Sequence, residues 1–386
     1  MLKKDEIKEL KFDAEEELVV KTQRPIGEPI KNFSQQTVKK TRRFIKYQVP
    51  SSTNNLKSWV KSFRGGMGLV CLIGVSLIPL LLNRDLYYHV FVTAMMYAIF
   101  AASWDLLSGV TGQVSFGHAA FFGIGGYTCG AFIKFLGMDW LPAIIFGSLI
   151  GVFFGLIIAI PSLRLKGPYL ALGSLAFSLL LWQLFSMDSL RSLFFGSEGI
   201  RNIPHLTNYD FQLEFIIVLI IMIVSIVIML AVFNSKLGTI FQAIREDEIS
   251  TEASGINTTK YKLIAFMISA FFAGIAGSLY TLHLGNIKPS IFMSIKSFYP
   301  IIMVMIGGIA TISGAAFGAF FFIVLSELIV EICSGLLPLE FLVVFADIAS
   351  LIFAIILLIV IRFTERGLME PAIKRSKKLW DLVLGK

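Results

Sequence analysis

The sequence predicts an all-α, polytopic integral membrane protein with about ten transmembrane helices, and three observations carry that prediction. The chain of 386 residues is 56% hydrophobic and only 16% charged, too little charge to cover the surface of a soluble domain of this size. Residues 141–161 and 215–235 each run 21 residues without a charge, and residues 297–326 run 30. About 20 apolar residues suffice for a helix to cross a bilayer. The third observation is the placement of Lys and Arg, which agrees with a single orientation of ten spans.

Residues 1–66 differ in kind from the rest. The first 30 are mixed and slightly acidic, whereas residues 31–66 hold nine Lys or Arg and no Asp or Glu. A basic cytoplasmic extension is expected, either disordered or lying on anionic lipid through Phe44, Tyr47, Trp59 and Phe63. The first long apolar run begins only near Met67, so no signal peptide is expected. Residues 67–362 then hold the candidate spans: 67–82, 88–108, 114–136, 141–160, 168–187, 213–233, 263–284, 298–312, 315–337 and 341–361. With the N-terminus inside, ten spans also place the tail 363–386 inside. Counted from Arg362, that end carries seven basic residues against three acidic. The same topology puts Arg164, Lys166 and the loop 234–262 inside, as the positive-inside bias requires. Ten is also five plus five, and two odd-numbered halves must point opposite ways, the plan of an inverted repeat. The third span of each half, 114–136 and 298–312, is interrupted by glycine.

Several chemistries find no support. Cys71, Cys129 and Cys333 lie in apolar runs and read as small buried thiols. The four histidines show no metal-ligand spacing, and no GxxxxGK[ST] loop occurs to hold a nucleotide. No metal, no catalytic residue and no cofactor of the chain's own is expected.

Two stretches carry candidate function. The first is GVTGQVSFGHAAFFGIGGYTCG at 109–130. On a helix, Gly112, Ser115, Ala119, Gly123, Gly126 and Gly130 form one stripe of small residues. A second stripe, Gly147, Gly151, Gly155 and Ala159, reads as plain helix packing. Packing does not account for Gln113, Ser115 and His118, polar groups at or near membrane depth among glycines. Irregular backbone at that depth is tolerated where it is buried in protein or lines a cavity. Gly112, Gln113, Ser115, Gly117 and His118 are therefore candidates for a path through the membrane, with Asp105 a further ionisable group upstream. A satisfied structural histidine is the competing reading of His118. The second stretch is the loop 234–262. Its centre, Ile240 to Ala253, has helix formers and an apolar set at Ile240, Phe241, Ile244, Ile249 and Ala253. A short amphipathic helix stopped by Gly255 is expected there.

The segments GQVSFGHAAFFGIGGYT, LRLKGPYLALGSLAFS, AIREDEISTEASGINTTKYKLIAF and SAFFAGIAGSLY together resemble the LivM-type permease subunit of branched-chain amino acid ABC importers. The resemblance covers about residues 85–362 and leaves 1–66 out. It implies a bacterial plasma (inner) membrane protein working with a second, LivH-like permease subunit, two ATPase subunits and a periplasmic or extracellular substrate-binding protein. ATP would be bound by the partners, and no nucleic acid is involved. By position, Ile244, Glu248, Glu252, Ala253 and Gly255 resemble the loop through which such permeases couple to their ATPases. GSEGIRNIP at 196–204 resembles the family's external glycine-rich segment, with fewer glycines than many members have. A urea or short-chain amide permease is the nearest alternative, although Ser115–Ala120 departs from its SLGQGAFF pattern. An intramembrane hydrolase built on Ser115 and His118 is the alternative of a different class.

Overall fold

Long apolar runs in lipid must satisfy their own backbone hydrogen bonds, and a helix does so within a single segment. The computed structural model describes Gly74 and residues 85–162, 168–207 and 210–336, and these are helical almost throughout, with no strand among them. The chain runs α1 (Asp85–Trp104), α2 (Ala119–Leu136), α3 (Trp140–Ser162), α4 (Pro168–Ser186) and α5 (Phe211–Phe233). There follow two short helices, α6 (Lys236–Glu246) and α7 (Glu248–Ala253), then α8 (Thr258–Leu284), α9 (Ser294–Gly307) and α10 (Ile312–Leu336). The expected spans 67–82 and 341–361, both basic ends, Arg164 and Lys166 lie outside the described residues.

Six of these helices are long and apolar enough to cross a membrane: α1 with the wider π turn that extends it, α2, α3, α4, α5 and α8. The bundle is multi-pass, as composition predicts. Its centre is α1, whose span is 89% buried against protein, whereas that of α4 is only 28% buried. On α3 the exposed residues Leu141, Ile145, Leu149, Phe153, Ile157 and Ile160 recur every three or four positions and form a lipid-facing stripe. The opposite face carries the small stripe. A Cβ on Gly147 would stand 2.7 Å from the Gly125 carbonyl of α2, and one on Gly155 2.9 Å from Ala270 of α8. With no hydrophobic effect between helices in lipid, this close approach is what holds α3 on.

Two expected boundaries are corrected. Span 114–136 does not begin as helix: residues 111–118 are irregular and α2 starts only at Ala119, so Gly112 and Ser115 fall off the expected small-residue stripe. Spans 298–312 and 315–337 are not two separate crossings. Helix α9 has 14 residues, about 21 Å at 1.5 Å per residue, short of the roughly 30 Å hydrocarbon core. It meets α10 at a bend of 110° across residues 308–311. By length and composition, the described chain therefore supplies six crossings, or seven if the bent pair is one broken span. Hydropathy could not show this, because both arms of the bend are apolar.

The irregular stretches that follow α1 and α8, residues 105–118 and 285–293, lie at opposite ends of the bundle. Helices α1 and α8 run antiparallel, for His89 near the start of α1 meets His283 near the end of α8, while Ser269 at the middle of α8 donates to the Ser103 carbonyl. Each is followed by irregular chain and then a helix beginning deep in the bundle. Those two beginnings meet where the Ala119 amide of α2 donates to Ser297 Oγ of α9 at 3.2 Å. From there α2 runs toward Ile203 and α9 toward Asp105, in opposite directions. The glycine-interrupted stretches expected to correspond, 114–136 and 298–312, are those of α2 and α9.

Close helix approach predicts a sharp contrast between two faces. Gly274 lies against the α3 backbone, where a Cβ would stand 2.8 Å from Ser148 Cα. Gly274→Leu should destabilise the detergent-solubilised protein by about 1–3 kcal/mol. Leu149→Ala, on the lipid face, should stay within about 0.5 kcal/mol. Equal thermal midpoints for the two variants would contradict this packing.

Candidate functional site

The first break begins where α1 widens into a π turn at Asp105–Val110. A π turn leaves backbone groups without their usual partners, and such turns gather at functional positions. Side chains from four elements take up those groups. Thr111 Oγ1 donates to the Leu106 carbonyl at 3.1 Å, and Ser108 Oγ donates to the Gln113 carbonyl at 3.1 Å. The Ser115 amide donates to Ser108 Oγ at 3.2 Å, and Trp104 Nε1 to the Ser115 carbonyl at 2.7 Å. The Phe116 amide reaches Ser174 Oγ of α4 at 3.0 Å. Gly117 presses on the Ser174 carbonyl with no room for a Cβ, and Gly112 turns the chain at φ +76°.

His118 is fully buried between the Phe100 and Phe121 rings. Its Nε2 lies 3.0 Å from Ser103 Oγ and 3.4 Å from Ser269 Oγ. Both hydroxyl protons are already committed, Ser103 to the Phe100 carbonyl and Ser269 to the Ser103 carbonyl. Nε2 must therefore be the donor, which leaves Nδ1 as a bare acceptor, and Nδ1 has no partner among the described residues. Ser115 Oγ is likewise buried without a partner. No hydrogen bond joins Ser115 to His118, so the base and nucleophile of a hydrolase are not assembled. Ser115, Gly117, His118 and Asp105 are buried, Gln113 is half-buried, and Gly112 and Val114 are exposed.

The second break, 308–311, is held by the first. Gly308 and Ala310 adopt positive φ, and Asp105 Oδ1 accepts from the Ala310 amide at 2.7 Å. A side chain of α1 thus closes the N-terminus of α10, where an acceptor is favoured by the unpaired amides and the helix dipole. Asp105, singled out in the sequence only as ionisable, is the contact between the two breaks. Its Oδ2 has no partner.

Helices α6 and α7 lie beyond the end of the bundle that carries this contact. One helix over Ile240–Ala253 is expected from the sequence, but the structure has two, separated by Asp247 in extended conformation. Asp247 caps α7: its Oδ1 accepts from the Ser250 amide at 3.1 Å, and its Oδ2 from the Ser250 hydroxyl. The Ser250 hydroxyl first, then the Ser250 amide, hold the carboxyl below the usual carboxylate range. The cap is thus complete at neutral pH and lost only as pH falls through that lowered value. The apolar set is divided as a result. Phe241 and Ile244 pack into the bundle, while Ile249 is 81% exposed and Ala253 is exposed beside it. Glu248 pairs with Lys262 of α8 at 2.6 Å, Glu252 faces solvent, and Gly255 has φ +85° with open space around it. On α6, Arg245 rests on the first break: a Cβ at Gly112 would stand 3.1 Å from Arg245 Cγ.

A family model described as branched-chain amino acid transport system / permease component matches residues 86–361. The chain belongs to this family. The high-affinity branched-chain amino acid transport system permease protein LivM of Salmonella typhimurium strain LT2 is 26% identical over 262 residues, 61% of each chain. The corresponding LivH permease protein of Escherichia coli strain K12 is 25% identical over 299 residues, 72% of this chain and 93% of LivH. A probable LivM of Methanocaldococcus jannaschii is 27% identical over 194 residues, 48% of this chain and 55% of that one. This permease spans about three fifths of the length of the Salmonella LivM relative. No solved structure matches it.

Some residues of the permease that hold these breaks give no signal in the sequence. Ser103, Ser174, Ser269 and Ser297 look like ordinary small polar residues in apolar helices. At the other end, His89, His283 and Glu214 come from three different helices, with His283 Nδ1 2.8 Å from Glu214 Oε1 and Nε2 3.2 Å from His89. Their separations in sequence, 194 and 69 residues, hide the cluster.

Removing the acceptor at the second break should be felt in stability. Asp105→Ala leaves the Ala310 amide without its partner, and a loss of about 1–3 kcal/mol is expected in detergent unfolding. Asp105→Asn keeps a carbonyl oxygen there and should lose less. An alanine variant as stable as the parent would remove Asp105 from this role.

Proposed function

We propose that this chain is the LivM-like permease subunit of an ABC importer for branched-chain amino acids. It pairs with a LivH-like permease subunit, two ATPase subunits and a substrate-binding protein outside the cell. It sits in a bacterial plasma (inner) membrane with both termini and the segment 234–262 in the cytoplasm. ATP is bound by the partners, and the chain itself has neither a catalytic residue nor a metal. The family membership over residues 86–361 supports the substrate class, and the printed functions of LivM and LivH relatives point the same way.

The observation that carries the mechanism is the position of α6 and α7. One side of the pair is buried through Phe241 and Ile244, and α6 rests on Gly112 of the first break. The other side presents Ile249, Ala253, Glu252 and Gly255 outward. An apolar residue as exposed as Ile249, on a segment outside the spans, suits a groove on a partner. Movement of an ATPase against α7 would reach Gly112 through α6 as a rigid lever. Gly112, Gln113, Ser115, Gly117, His118 and Asp105 are then the stretch whose repacking opens and closes the path. The exposed Val114 and the half-buried Gln113 border that path.

The test is substrate-stimulated ATP hydrolysis and leucine uptake in vesicles holding the full assembly. Gly255→Val places a β-branched residue at positive φ, a local cost of about 1–3 kcal/mol, and Glu252→Lys reverses a charge at the contact. Both should weaken ATPase association or separate hydrolysis from uptake. Gly112→Leu, strained at φ +76° and facing Arg245, should abolish uptake. Unchanged hydrolysis and uptake in Gly255→Val and Glu252→Lys would reduce α6–α7 to a connector.

A further inference from the structure

Lys296 stands in the first turn of α9, half-buried, and no acid among the described residues pairs with it. Its ammonium is 3.3 Å from Tyr97 Oη and lies over the rings of Tyr299 and Tyr280, 5.0 and 5.8 Å from their centroids. Tyr97 is buried and packs on both of those rings. No carboxyl group among the described residues lies within ion-pair distance of Lys296, and two of its three N–H donors remain uncommitted there.

A cation in this position is opposed on two counts. It sits at the positive end of the α9 dipole, where an anion is favoured and a cation is not. It is also half-buried in an apolar body, where tyrosine faces return only part of the hydration it loses. The start of α2 adds a second positive helix end nearby, since the Ala119 amide bonds to Ser297, the residue after Lys296. At the N-terminus of α9 the ammonium has no acid among the described residues, and the charge balance there calls for an anion. The rings of Tyr280 and Tyr299 beside it are half-buried, and the buried Phe122 and Phe322 pack behind Tyr97 and Tyr299. Tyr280 lies one turn from the end of α8 remote from α6 and α7, so the group lies in the half of the bundle away from the ATPase side.

We propose that Lys296 receives the carboxylate of the amino acid in transit. Tyr97 fixes the ammonium, and the half-buried rings of Tyr280 and Tyr299 border the aliphatic side chain. This assignment rests on the substrate class proposed above and adds the group that recognises it. An α-amino acid presents its carboxylate and side chain on one carbon, which suits a cation bordered by apolar rings.

The experiment measures concentration-dependent leucine uptake by the complete importer in vesicles, with leucinamide, which lacks the carboxylate, as competitor. The parent should take up leucine and be poorly inhibited by leucinamide. K296M and K296Q should raise the half-saturating leucine concentration about tenfold or more and lose the preference for leucine over leucinamide. K296R should keep most of both. A purely structural lysine would change the amount of active importer but not that preference. Should K296M fail to assemble, K296Q, which keeps a polar group beside Tyr97, decides the matter. Retained affinity and preference in K296Q would overturn the assignment while leaving the importer reading intact. Absence of leucine uptake by the parent would overturn both.

Discussion

The hydrogen bond from the Ala310 amide to Asp105 Oδ1 ties together the two places where the helical ladder fails. In lipid an unpaired backbone group has no water to turn to, so a break survives only if protein supplies its partners. Asp105 supplies one across 205 residues of sequence and so sets the start of α10 against the end of α1. The rest of the break region is built on the same requirement. Trp104, Ser108, Ser174 and Ser297 each place one polar atom where an amide or carbonyl has lost its helical partner. Cost and function are linked here. A break whose backbone is partnered in this way is held in one arrangement and must exchange partners to adopt another.

That requirement gives meaning to the contact between α6 and Gly112. The break is held by hydrogen bonds that can be exchanged, and α6, outside the spans, leans on it. Asp247 divides what would be one amphipathic helix into a buried half and an exposed half. The division lets one short segment face two ways, inward through Phe241 and outward through Ile249. A continuous helix with one apolar stripe could bury or present its face, but not both.

Charge is distributed unevenly through the bundle. Glu214, His283 and His89 close a group of partners at one end, and Asp105 satisfies an amide at the other. Lys296 between them has aromatic faces and one tyrosine oxygen but, among the described residues, no acid. In a low dielectric such an asymmetry is expensive unless a ligand completes it.

The sequence alone determined that the chain is a helical membrane protein and which motifs tie it to its family. These depend on local quantities: hydropathy over about 20 residues, helical spacing of apolar positions, and short runs such as GQVSFGH. The positive φ at Gly255 was also legible, because a glycine ending a helical pattern implies it. The tertiary structure decided the rest. Hydropathy read 298–337 as two crossings because it measures apolarity and not direction, and the 110° bend changes only direction. It read Ile240–Ala253 as one helix because Asp247 serves equally well inside a solvated helix or as a cap. The partners of His118, Asp105 and Lys296 lie on helices far away in sequence, and only packing brings them within reach. Local pattern fixes what each segment is, and the demand that backbone groups freed at the breaks find partners fixes where the segments around them go.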